Sequence, residues 1–327
     1  MKLKIRSAIV CALVALVSFT SCTERKVSVS ATVYCDDSFK NIIQQEIDVF
    51  EYRLPKDHIL VTYAPQKEAL EALFNREAQV VVIGRDLTKA EKEKLEAMKL
   101  KPRSQKIAVD AIALIVNKEN PVEQLSMKEI SEILAGETQR WNQIQPDAPD
   151  RRINVILDNE GSSLAFYMRD SLLHGKAFGP NVSAVGSVGS VFEAVKNDAA
   201  NIGVIGVTWL TANLSLDHSG SELDSYLKND TSAVNGQDIN DRMDAAEVKT
   251  IGVMRDRLYP YRPYQQYIYS GEYPLTRPIY LVTTSSAGVP SRFYAFVGGV
   301  DGQRLIMRTG VLPARVPIDI YEIKTAE

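Results

Sequence analysis

Three runs in this chain, 79–83, 107–117 and 201–209, are apolar at almost every position. A strand with one face in water alternates apolar and polar residues, so a run that does not alternate belongs in a sheet covered on both sides. The stretches between such runs have helical spacing. Ile42, Ile43, Ile47 and Phe50 fall on one face of a helix over 39–52, and 67–76 and 89–99 continue the pattern, with Thr88 as a cap. Ser126 and Glu129 form a capping box that opens a helix over 127–134, and Gly136 stops it. Strands alternating with helices specify an α/β fold, and 327 residues suffice for two lobes rather than one.

Three loops share a second feature. After the short strand 154–157 come Asp158, Asn159, Gly161, Ser162 and Ser163, and a helix follows from Ala165. A strand feeding a helix through small polar residues presents backbone N–H groups and hydroxyls to an anion. Asp37, Ser38 and Phe39 repeat the design after a strand over 27–34, and Ser190 repeats it ahead of a helix over 191–197. Each serine is either a helix cap or a ligand contact, and the two roles are compatible.

Two charges stand out. Arg85 follows Gly84 at the end of run 79–83, the edge where ligands gather in α/β sheets, with a surface ion pair to Asp86 or Glu91 as the alternative. Asp110 interrupts run 107–117 and needs partners, either backbone groups at a hinge or a ligand. The formal charge of −3 and the lack of a basic stripe exclude nucleic acid as a partner, and the tyrosine-rich stretch 259–273 reads as packing. Three histidines and three cysteines form no metal or nucleophile motif, so no metal or cofactor is expected. Ser225 and Lys228 have the spacing of a serine–lysine pair without its companions, and no hydrolase elbow or phosphate loop occurs, so no enzyme is expected.

Lys2, Lys4 and Arg6 precede the apolar run 8–19 and then Cys22, the pattern of an export signal too short to span a bilayer. The stretch 17–22 resembles a bacterial lipobox, with Phe19 where Leu or Val is usual, which implies cleavage after residue 21 and acylation of Cys22. An ordinary signal peptide is the alternative. With Cys11 removed and Cys22 acylated, Cys35 stands alone as a packing residue.

In its order of motifs the chain resembles the phosphate-binding proteins of high-affinity phosphate ABC transporters, within the type II periplasmic binding proteins. The match is carried by residues 37–39, 107–117, 125–136 with Trp141, 161–163, 189–195 leading into Ile202 and Gly203, then Tyr273, Pro274, Arg277 and Pro278, and finally Gly302, Gln303, Gly310 and Pro313. The resemblance implies a two-lobed α/β fold with a mixed sheet in each lobe, joined by strands that cross twice, with a ligand cleft between the lobes. Residues 1–21 would be the signal and 22–26 a linker. Lobe one would take 27–117 and 274–327, and lobe two 118–273.

The same resemblance implies that Ser38, the Phe39 amide and the Gly161, Ser162 and Ser163 loop bind phosphate or a similar oxyanion. It further implies permease subunits as partners, a monomer, and a lipid-anchored position on the cell envelope facing the periplasm or exterior. Two departures stand out. Where the family has an arginine before the second loop, this chain has Asp158, and Arg85 stands where an aspartate is often found. The family's serine between these loops falls near Pro65 and Gln66. Because of these departures, a sensor or surface interaction module on the same fold is the competing expectation.

Overall fold

A computed structural model describes residues 31–211, 247–255 and 259–315. The signal and lipobox, the Ser225–Lys228 pair and most of the polar stretch 216–247 lie outside those residues. The elements alternate as expected. β1 (Ala31–Asp36), α1 (Lys40–Arg53), β2 (Ile59–Ala64), α2 (Gln66–Phe74), β3 (Val80–Ile83), α3 (Lys89–Ala97) and β4 (Arg103–Asn117) build the first half. β5 (Gln124–Ser126), α4 (Met127–Ala135), β6 (Asn154–Leu157), α5 (Ser163–Tyr167), β7 (Val182–Ala184), α6 (Val188–Asn197), β8 (Asn201–Gly206), α7 (Thr208–Thr211), β9 (Val248–Thr250) and β10 (Gly252–Met254) follow. The chain then passes through α8 (Gln265–Tyr269), β11 (Thr276–Thr283), α9 (Gly288–Val297), α10 (Val300–Met307) and β12 (Leu312–Pro313).

The cap at Thr88 and the capping box at Ser126 both form, and Thr88 proves to be a capping box as well. Thr88 accepts from the Glu91 amide and Ser126 from the Glu129 amide, and each glutamate reaches back to the cap's own N–H. Gly136 closes α4 in the left-handed region at φ 74°, where a side chain would be strained.

The strands run β2-β1-β3-β11-β4-β8-β6-β7 in one mixed arrangement. β1 lies parallel to β2 and β3, and β11 is antiparallel to β3 and β4. On the far side, β8 runs antiparallel to β4, and β6 is parallel to β7 and β8. β4 is the shared strand. Its residues 103–111 pair with β11, and its residues 112–116 pair with β8, so the sheet changes partners between Ala111 and Ile112.

The apolar run of β3 behaves as its sequence demands. Val80 and Val82 enter the large core, while Val81 and Ile83 enter a second cluster with Leu70, Leu73 and Leu95. The sheet is therefore covered on both faces. Cys35 is a buried packing residue, and Trp141 is buried with its indole N–H donating to the Ala200 carbonyl at 3.1 Å. Among the described residues, no helix is long and apolar enough to cross a membrane.

Candidate functional site

The chemistry-bearing residues gather where the two halves of the sheet meet. Asp36 ends β1 and is fully buried. Its Oδ1 accepts from the Ser38 amide at 3.0 Å, capping the 3-10 turn Asp37–Phe39. Ser38, read from sequence as a possible cap, does not perform this role. Oδ2 accepts from the Gln66 amide at 2.9 Å and from the Ser163 amide at 2.8 Å. Ser38 and Gln66 belong to the first half, and Ser163 comes from the loop after β6. Three backbone N–H groups from three loops thus converge on one carboxylate.

Further bonds tie the halves together. Ser38 Oγ donates to Asp158 Oδ2 at 3.3 Å, and Ser162 Oγ donates to Asp158 Oδ1 at 2.7 Å. The Lys67 amide donates to the Gly161 carbonyl, and Thr208 Oγ1 donates to the Ser38 carbonyl. Gly84 lies so close that a Cβ there would stand 2.6 Å from the Ser163 Cβ, so the approach of these loops requires glycine. The Gly84 amide in turn donates to the Gln66 side chain at 2.7 Å.

The cation of the site is Arg277, on β11. It is fully buried, stacks at 4.6 Å on the Phe39 ring, and donates from Nη1 to Ser163 Oγ at 2.8 Å. Its Nε and Nη2 both donate to Asp110 Oδ2, at 3.0 and 2.9 Å. Arg277 and Asp110 are register partners one residue before β4 changes sheets, so this buried ion pair sits on the crossing itself. A Cβ on Gly206 would come within 3.0 Å of Asp110 Oδ2, so glycine keeps the pair uncrowded.

Arg277 balances only part of the local charge. Burial pushes the Asp158 carboxyl up, and the Asp36 charge adds to that. The Ser162 hydroxyl, the Asn159 amide and Arg277 oppose the rise. Asp37 is pushed up in the same way by burial, Asp36 and Asp158, against Lys40. The Asp110 carboxyl is also raised by burial, opposed chiefly by Arg277.

Ser38, Phe39, Asp158, Gly161, Ser162 and Ser163 are thus brought together, with Asp37 beside them. Asn159 shapes the loop by accepting from the Gly161 amide at 2.9 Å, and Asp110 joins through Arg277. Arg85 and Ser190 are placed elsewhere. Arg85 forms a two-pronged pair with Glu91, at 2.8 Å for each nitrogen, and also donates to the Asp86 carbonyl. This is the surface ion pair given above as the alternative to a ligand contact.

Ser190 is exposed, and Ser187 rather than Ser190 caps α6, which starts at Val188 instead of Val191. Asp36, Gln66 and Arg277 were not expected as site residues. Arg277 had a signal, because it and Asp110 are opposite charges in two apolar strands, and each needs a partner. Gln66 and the Ser163 amide act through backbone N–H groups, which any residue type could supply.

A Clostridium perfringens protein solved with bound phosphate superposes with a TM-score of 0.67 at 18% identity, covering 88% of this chain and all of that one. An ABC-type phosphate transport receptor from Vibrio cholerae gives 0.62 at 18% identity, covering 86% and 99%. These likenesses establish the type II periplasmic-binding-protein fold. The phosphate-binding protein PstS of Pseudomonas aeruginosa is 21% identical over 88% of this chain and 84% of its own length. A family model described as a PBP superfamily domain matches residues 21–297, and the chain belongs to that superfamily.

Proposed function

We propose that the chain is a solute-binding protein that holds phosphate or a related small oxyanion between two lobes and hands it to an ABC importer. The observation that carries this is the convergence of the Ser38, Gln66 and Ser163 amides on one pair of anionic oxygens. Three N–H donors aimed at one point from separate loops hold an oxyanion without a metal. Arg277 lies next to them, bonded to Ser163 Oγ, and supplies a positive charge. Asp158 would accept a hydrogen bond from the O–H of a protonated oxyanion. The similarity to PstS proteins supports the same reading and favours a binder over an enzyme. On this reading the lobes are 27–117 with 274–327, and 118–273, acting as a monomer. Cys22 carries the lipid that keeps the protein on the envelope, facing the periplasm or exterior.

The test is isothermal titration of ligand-stripped protein with inorganic phosphate and with sulfate. Saturable heat from at least one is expected, and a folded protein that gives heat with neither would sink the oxyanion reading. The anchor is tested separately, since Cys22→Ser should move the protein from the membrane fraction to the soluble one. A sensor or surface interaction module is the second reading. It is favoured by the amides already holding Asp36, and a folded protein that binds neither anion would leave it in place.

A further inference from the structure

We propose that Asp36 is a tethered anion that latches the two halves together and competes with the soluble ligand for the same amides. The competition rests on the oxyanion reading of the site, whereas the latch does not. A cap on the turn 37–39 needs only the bond from the Ser38 amide, and the Gln66 amide adds a second bond within the same half. The bond from the Ser163 amide is different. It comes from the loop after β6, 127 residues along the chain, and reaches a carboxylate that is completely buried. Local capping does not call for that bond, and its effect is to hold one half against the other.

The surroundings are built for the same closure. Gly84 permits the close approach of Ser163, the Lys67 amide bonds the Gly161 carbonyl, and Ser38 Oγ reaches Asp158. An incoming oxyanion that takes these amides must first displace Asp36, because each N–H has one proton to donate. A tethered competitor reduces apparent affinity to the intrinsic value multiplied by the fraction of molecules it leaves free. It also sets a threshold, because only a ligand offering more acceptor oxygens than a carboxylate outcompetes it. Tetrahedral oxyanions do so, and simple carboxylates do not.

The experiment compares the wild type, Asp36→Asn, Asp36→Ala and Asp37→Asn, each shown to be folded by circular dichroism. Inorganic phosphate is titrated calorimetrically, and small-angle X-ray scattering is recorded in phosphate-free buffer. Asp37→Asn removes a charge from the same turn without touching the amides, so it measures charge relief alone. Asp36→Asn serves where Asp36→Ala does not fold. The expected result is phosphate affinity at least about ten-fold tighter in the Asp36 variants, well beyond the gain from Asp37→Asn. A larger radius of gyration that contracts on adding phosphate should accompany it.

Equal or weaker binding in the Asp36 variants would overturn the competition, and gains equal to that of Asp37→Asn would reduce it to charge. If none of the four proteins binds phosphate and the wild type binds no sulfate either, the proposed function fails. Scattering then decides the latch alone. Expansion of the Asp36 variants supports it, and unchanged dimensions overturn it.

Discussion

The loops that follow β6 and β7 are a natural pair to compare. The two strands lie side by side in parallel, Val155 against Val182, and each runs into a loop of small polar residues and a helix. Each helix is capped by a serine: Ser162 Oγ accepts from the Ala165 amide at 3.1 Å, and Ser187 Oγ accepts from the Ser190 amide at 3.2 Å. In local chemistry they are near duplicates. Yet Ser162 and Ser163 are buried against the other half of the molecule, while Ser187 and Ser190 are exposed. Strand order accounts for the difference, since β6 is interior to the arrangement and β7 is its edge. A cap motif therefore marks where a helix starts, and sheet position decides whether its free donors meet anything.

The largest expected effect tests what anchors the inner loop. Arg277→Ala strips Ser163 Oγ of its donor and leaves Asp110 charged, buried and without its guanidinium. Removing one partner of a buried pair costs about 3–5 kcal/mol. Urea denaturation should show a loss of that size, with a steep fall in oxyanion affinity wherever the variant still folds. A loss below about 1 kcal/mol would mean the inner loop is held by the amides alone. Asp110→Asn combined with Arg277→Met should recover much of the stability but not the affinity, separating the two roles of the arginine.

That pair also shows where sequence reading succeeds and where it stops. Run 107–117 was legible as a buried strand with one carboxylate that needed a partner, and Arg277 was among the residues that carried the family resemblance. Joining them requires the register of β11 on β4 across 167 residues, which no local pattern carries. The cap at Thr88 and the capping box at Ser126 were legible because each lies within four consecutive residues. The α/β class was legible because non-alternating strands admit few alternatives. Asp36 was hidden for a different reason. Its importance comes from backbone amides, and these are absent from any inventory of side chains.

A second test concerns charge within the inner loop. Burial, ahead of the Asp36 charge, holds the Asp158 carboxyl above its ordinary 3.8. The folded protein therefore keeps a proton that the unfolded chain has released. This contribution favours folding below 3.8 and is lost as pH rises through the raised value, at about 1.4 kcal/mol for each ten-fold separation in acidity. Stability measured across a pH series should fall over that window in the wild type and fall less in Asp158→Asn. An unchanged slope would move the titration to Asp37, whose carboxyl is raised by the same causes. The residue at the corresponding place after β7 is Val185, and no pH dependence is expected from it.

Ser187→Ala tests the outer loop directly. Loss of an N-cap costs about 1 kcal/mol, and the exposed position gives no reason for more. Phosphate affinity should stay within about two-fold of the wild type, because among the described residues the Ser187 hydroxyl bonds the Ser190 amide and hydroxyl. A ten-fold loss of affinity would return the β7 loop to the binding site and remove the contrast with β6.

The smallest expected effect belongs to Arg85, whose place at the end of β3 made it a candidate ligand contact. At the end of β3 it could have supplied a charge-assisted bond to the ligand, about 1.5–3 kcal/mol. Instead both terminal nitrogens bind Glu91, the glutamate that completes the Thr88 capping box. Its guanidinium thus braces the start of α3, while Gly84, one residue earlier, faces Ser163. Partly exposed ion pairs of this kind contribute about 0.2–1 kcal/mol. Arg85→Ala should therefore lower stability by no more than that and leave oxyanion affinity within about two-fold, read by the same titration. An affinity loss near 2 kcal/mol would show that Arg85 leaves Glu91 to reach the ligand. The site would then have a second cation, drawn from the loop after β3, and the boundary between inner and outer loops would have to be redrawn to include it.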